Sequence, residues 1–127
     1  MTIGRYSELA AWQSSMSLVA DVYRLTATMP VAEKFGLAQQ LRRAAVSIPS
    51  NIAEGHARRS RREYLRFVVV AMGSLAELET QLLIANRLAY VTDSTLSSAQ
   101  RRVDETGKLL RGLERRLIRD SVLGNGP

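Results

Sequence analysis

The sequence predicts an all-α protein, an up-down bundle of four helices. Apolar residues recur at spacings of three and four, the helical period, through four successive segments. β-Branched residues form no alternating runs and aromatic residues are only 6% of the chain, so strands have no pattern to grow from. The connections between segments are short, which sets consecutive helices antiparallel. The 127 residues fit a single domain, 1–127, with a core that needs no staple.

The first helix is expected over about 7–29, with Ser7 as its cap. Leu9, Trp12, Met16, Val19, Tyr23 and Thr26 form one stripe; Leu18, Val22, Leu25 and Met29 form another beside it. Pro30 ends the helix, because the residue before proline avoids the α region. The second is expected over 33–57, with Leu37, Leu41, Ala44, Ile48 and Ile52 on one face. Pro49 lies inside it and removes a hydrogen bond to the Ala45 carbonyl. The apolar face continues through the proline, so a kinked helix is expected rather than two helices.

The third helix is expected over 60–89, opened by the capping-box pair Ser60 and Glu63. Leu65, Val68, Met72, Leu75, Glu79, Leu82 and Asn86 form its main stripe, and Phe67, Ala71, Leu78 and Ala85 an adjacent one. An apolar arc this wide marks it as the most buried helix. The fourth is expected over 94–119, capped by Asp93 or Ser94, with Leu96, Ala99, Val103, Thr106, Leu110, Leu113 and Leu117 in strict register. The tail, 120–127, should fray. Several helices carry two apolar stripes where a monomeric bundle needs one. Oligomerisation or simply wide core faces would account for the surplus.

Enzyme chemistry has little to work with. The chain has no cysteine and a single histidine, His56, which lacks the Glu-x-x-His spacing of carboxylate-bridged bundles. Glu54, two residues away, faces elsewhere. Gly55 and Gly73 are isolated, so no phosphate loop is present. These observations predict a non-enzyme with no metal and no cofactor. The N-terminus lacks a charged start followed by an apolar run. The longest uncharged apolar stretch, Phe67 to Ala76, is far below the ~20 residues that span a bilayer. A cytoplasmic protein with no membrane partner is expected.

The net charge is +6, and 16 of the 18 basic residues are arginine. With an isoelectric point of about 10.5, the chain suits polyanions, since the guanidinium fork matches phosphate. A GC-rich genome would also favour arginine codons, so clustering matters more than the total. Arg58, Arg59, Arg61, Arg62 and Arg66 crowd the start of the third helix, where only Glu63 offsets them locally and where cations oppose the helix dipole. Together with the free amides of that helix end they would make an anion site; a solvated charged face is the competing reading. Arg101, Lys108, Arg111 and Arg115 share one face of the fourth helix, with Arg102 beside them, although cations also favour a helix C-terminus. Trp12, Tyr23, Phe35 and Phe67 fall at core positions, which leaves Tyr6, Tyr64 and Tyr90 as the aromatic residues open to solvent. Few stacking platforms remain, so backbone contact is favoured over base readout.

Glu79 and Asn86 interrupt an apolar stripe. One reading makes them a ligand site or a catalytic acid. The other is a buried polar network that fixes register between the second and third helices, with Arg42 or Arg43 as the partner of Glu79 and with Ser47 and Asn51 on the same helix.

The segments "QLRRAAVSIPSNIAEGHARRSRREYLRF", Gln40 to Phe67, and "GSLAELETQLLIANRLAY", Gly73 to Tyr90, closely resemble the bacterial four-helix-bundle proteins encoded in intervening sequences of 23S ribosomal RNA genes. The accessory variability determinant of diversity-generating retroelements is similar. The resemblance covers Trp12 through Tyr90 and rests on pattern alone in the fourth helix. It implies a ring-like homopentamer without known catalytic activity. In the retroelement branch it further implies nucleic-acid binding through basic surfaces and contact with a reverse transcriptase. The expected function is therefore a homo-oligomeric nucleic-acid-binding adaptor that is not sequence-specific. A protein–protein scaffold with no nucleic-acid role is the alternative.

Overall fold

The structure, a computed structural model, describes residues 5, 6 and 9–122. Four helices follow one another: α1 (Ala10–Thr26), α2 (Leu37–Ala57), α3 (Arg61–Arg87) and α4 (Asp93–Val122), with one short 3-10 turn, Val31–Glu33, ahead of α2. Each helix packs on two neighbours, α1 on α2, α2 on α3, α3 on α4 and α4 on α1. Polar contacts fix the antiparallel directions. Ser14 meets Thr106 and Asp21 meets Arg102 between α1 and α4, while Glu79 meets Gln100 and Arg61 meets Asp120 between α3 and α4.

The helix ends differ from expectation for local reasons. Ser7 lies outside the described residues, and Leu9 takes the cap position of α1 without a side-chain bond. α1 stops at Thr26; the Thr26 hydroxyl donates back to the Val22 carbonyl at 2.7 Å and the chain turns ahead of Pro30. α2 starts at Leu37 rather than Glu33, because Glu33 acts as a cap from the preceding turn. Its Oε1 accepts the Leu37 N–H at 3.0 Å. A Cβ on Gly36 would stand 2.6 Å from that oxygen, so a larger residue there would push the capping carboxylate aside. α2 then runs unbroken through Pro49, which is buried.

Ser60 caps α3 by accepting the Glu63 N–H at 3.2 Å. The reciprocal half of the capping box is missing because Arg66 holds the Glu63 carboxylate. α3 closes on Ala89, whose φ of 62° is left-handed, with the Tyr90 N–H donating to the Ala85 carbonyl at 2.9 Å. Thr92, rather than Asp93 or Ser94, caps α4 by accepting the Thr95 N–H at 3.1 Å. α4 continues to Val122, so 120–122 are helical where fraying was expected; Arg61 holds Asp120 at 3.7 Å and ties this last turn to α3. Residues 123–127 lie outside the described part.

Leu18, Val22, Leu41, Ile48, Ile52, Val68, Leu78, Leu82 and Leu110 are fully enclosed. Where two stripes competed in α1, Leu18, Val22, Leu25 and Met29 won the core. Met16 and Tyr23, from the other stripe, are each 44% exposed. Phe35, also expected inside, is 79% exposed on the turn before α2. α3 is long and apolar enough, by length and composition, to cross a membrane. Eight of its residues are buried in the bundle, while Val69, Val70, Leu83, Ile84 and Leu88 are exposed.

Candidate nucleic-acid interface

The turn between α2 and α3 places its arginines unequally. Arg58 pairs with Glu54 at 2.8 Å and lies over the Phe67 ring, 5.1 Å from its centroid. Arg66 covers the same ring at 4.8 Å and bonds Glu63 at 3.1 Å. That hydrogen bond holds the Glu63 carboxyl below its usual range and pushes the Arg66 guanidinium up. Arg61 is half-buried beside Asp120. Glu54 and Asp120 therefore join Glu63 in offsetting the cluster, which the sequence alone did not disclose, because Asp120 arrives from the far end of the chain. Arg59 and Arg62 are exposed and have no carboxylate partner among the described residues.

α4 divides in the same way. Arg102 pairs with Asp21 at 3.2 Å and Glu105 at 3.8 Å, so it joins α4 to α1. Arg101, Lys108, Arg111 and Arg115 are exposed on one face, again without a carboxylate partner among the described residues. The Arg61–Asp120 pair sets the C-terminal end of α4 beside the α2–α3 turn. Arg115 and Arg116 therefore share one end of the bundle with Arg59 and Arg62. Arg101 lies about 21 Å back along the helix, at ~1.5 Å per residue.

The expected clasp between α2 and α3 does not form as written. Glu79 accepts a hydrogen bond from Gln100 of α4, not from Arg42 or Arg43. The reason is rotational: Glu79 sits on the α4 side of α3 and is only half-buried, so it needs no arginine. Arg42 turns to α1, where its Nε donates to Thr26 at 2.8 Å and its guanidinium covers the Tyr23 ring at 4.6 Å. Arg43 is exposed. Asn86 donates to the Val91 carbonyl at 3.0 Å and to Asp93 at 2.9 Å, closing the α3–α4 turn. The link between α2 and α3 is Ser47 to Ser74 at 2.7 Å, with Asn51 donating to Ser47 at 2.9 Å. Between α1 and α4 a buried bond of 2.7 Å joins Ser14 and Thr106.

Three residues outside the expected set complete the arginine-rich end. His56, for which the sequence offered no metal-ligand spacing, is in the last turn of α2 with its Nε2 buried. The Tyr64 hydroxyl is buried as well, and neither atom has a hydrogen-bond partner among the described residues. The two rings meet edge to face at 5.7 Å. Burial pushes the Tyr64 phenol up to about 12, against the pull of the Arg116 charge, so its proton stays on. Arg116 is the third. A signal existed in the helical spacing of His56 and Gly55 ahead of Tyr64, but only the folded α2–α3 crossing aligns them. The exposed aromatic residues Tyr23 and Phe35 sit at the opposite end, about 30 Å away along the 21 residues of α2. At the arginine-rich end Tyr6 is exposed, but its ring already meets His56 edge to face at 6.4 Å and Trp12 at 5.5 Å.

Among curated proteins, no sequence matches this chain. A solved structure with the same fold is that of a protein with unknown function from the S23 ribosomal protein family of Bacteroides thetaiotaomicron. It is 23% identical, with a TM-score of 0.77, over 83% of this chain and 98% of that one. α1, α2, α3, the α2–α3 turn and most of α4 fall within residues 7–112, over which the sequence matches one family throughout: the chain belongs to the 23S rRNA-intervening sequence proteins.

Proposed function

We propose that the protein is a non-enzymatic, homo-oligomeric adaptor that holds nucleic acid by its phosphate backbone. The observation that carries this reading is that exposed cations of the α2–α3 turn and of α4, Arg59, Arg62, Arg101, Lys108, Arg111 and Arg115, with Arg116 beside them, have no carboxylate partner among the described residues. Charges spent on internal ion pairs would support the fold alone; these are left for an external anion. With few exposed aromatic rings near these cations, backbone contact is favoured, which positions a strand without reading its sequence. Association with further copies follows from the exposed apolar residues of α3, Val69, Val70, Leu83, Ile84 and Leu88. A ring of five, as the resemblance implies, would multiply weak phosphate contacts by avidity. The bend expected of Pro49 in α2 belongs to the same proposal, as does a cytoplasmic location.

The same apolar stripe favours a second reading, in which the protein is a scaffold for other proteins, a reverse transcriptase among them. Two measurements on the purified protein separate these. Light scattering should give a mass near five times 14.1 kDa, and a random duplex should bind at ~50 mM salt, where phosphate contacts are strong. A monomeric mass would remove the oligomer. An oligomer that leaves the duplex unbound would favour the scaffold.

A further inference from the structure

The arginine-rich end of the bundle holds a cleft of about 600 Å³, within the range that small-molecule sites occupy and far larger than a phosphate ion. The turn contributes Arg59 and Arg61, and α4 contributes Arg116 and Asp120. Arg61 is matched by Asp120 at 3.7 Å. Arg59 and Arg116 have no carboxylate partner among the described residues. Three cations against one anion leave the cleft two positive charges in excess. A phosphate monoester carries about −1.5 to −2 at pH 7, whereas a phosphodiester inside a strand carries only one negative charge.

The rest of the cleft mixes apolar and polar groups. Leu9 and Leu117 line it with aliphatic carbon, and the Tyr64 and His56 rings lie against it. Of the three buried side-chain polar atoms without partners among the described residues, two, the Tyr64 hydroxyl and His56 Nε2, belong to residues of this cleft, and the third, Gln81 Oε1, lies elsewhere; such atoms cost free energy until something bonds them. Arg59 holds a left-handed φ of 57°, a conformation a glycine would adopt without strain. Strain kept at an arginine that lines a cleft points to use of that side chain.

We propose that this cleft binds a nucleoside 5′-monophosphate, free or as the 5′ end of a strand. Arg59, Arg61 and Arg116 hold the phosphate; His56 and Tyr64 bond the polar edge of the nucleoside. The guanidinium fork suits the three terminal oxygens. The strand-end source rests on the nucleic-acid reading above; the free nucleotide does not.

Calorimetry with adenosine 5′-monophosphate and with adenosine tests the first source. Anisotropy with 5′-phosphorylated and 5′-hydroxyl single strands tests the second. In at least one pair the phosphate should improve binding about ten-fold or more, the effect of one charge-assisted hydrogen bond. Arg116→Gln should erase that preference. Tyr64→Phe removes only the unpartnered hydroxyl, so it should fold normally and still weaken the phosphorylated ligand about three-fold or more. A preference with the mononucleotide alone assigns the cleft to a free nucleotide; a preference with the strand alone assigns it to strand ends. No phosphate preference in either pair, or a preference that survives Arg116→Gln, overturns the proposal. Binding of a 5′-hydroxyl duplex reads the backbone contacts separately, so the loss of one reading is visible while the other stands.

Discussion

At Gly55 α2 approaches α3 closely, beside the arginine-rich end. A Cβ added there would stand 2.7 Å from the Phe67 Cβ, 3.1 Å from the Tyr64 ring and 3.3 Å from the Tyr64 carbonyl oxygen. None of these is the free end of a flexible chain, so Gly55→Ala has to move backbone. Overpacking of this kind costs about 1–3 kcal/mol. The better helix propensity of alanine returns at most ~1 kcal/mol, and less in the last turn of a helix. The net expectation is a loss of about 1–2 kcal/mol, a melting shift of roughly 3–8 °C for a domain this size. Gly112→Ala is the control. Its Cβ would meet only the Arg115 guanidinium, at 3.9 Å, so it should gain about 0.5–1 kcal/mol. Urea midpoints of the two variants should move in opposite directions. If Gly55→Ala gained stability as Gly112→Ala does, the close α2–α3 crossing, and the alignment of His56 with Tyr64 that depends on it, would be wrong.

Ala89→Gly should stabilise the protein by about 0.5–1 kcal/mol in thermal melts. A left-handed alanine costs ~1–2 kcal/mol, and the unfolded-state entropy of glycine takes part of that back. Glu79→Ala should cost about 1 kcal/mol, the worth of a half-exposed bond to Gln100, and a double-mutant cycle with Arg42→Ala should show no coupling beyond ~0.3–0.5 kcal/mol; coupling of several kcal/mol would restore the arginine clasp. Tyr64 and Tyr90 both have raised pKa values, through burial and through the Glu33 bond respectively. The contribution of Tyr64 is fully present below the ordinary tyrosine value of 10.0 and is lost as pH rises toward about 12, and that of Tyr90 is lost in the same direction. Tyr64→Phe should therefore flatten the alkaline loss of stability.

The helices were legible in the sequence because their apolar spacing is local information. Ser60 could be recognised as a cap because its partner is three residues away. Rotation about each helix axis was harder to read. α1 offered two stripes, and only packing against α2 and α4 decided that Leu18 and Val22 face inward while Met16 and Tyr23 do not. The same ambiguity in α3 put Glu79 opposite the wrong helix: it lies one position off the core centre, toward α4. Charge clustering marked the arginines but not their partners. Asp120 and Arg61 are 59 positions apart in the chain, and Asp21 and Arg102 are 81 apart. Which guanidiniums remain free is a tertiary fact.

The salt dependence of duplex binding tests the central claim most directly. Each phosphate neutralised contributes about −0.9 to the slope of log affinity against log salt, so contacts by Arg59, Arg62, Arg101, Lys108, Arg111 and Arg115 of one protomer give about −5.4. Replacing Arg62, Arg111 and Arg115 with glutamine should flatten that slope by about 2.7. Replacing Arg58, already paired with Glu54 at 2.8 Å, should leave it unchanged. Equal slopes for the parent and the triple variant, or an equal loss from Arg58→Gln alone, would contradict the assignment of phosphate contact to the unpaired cations.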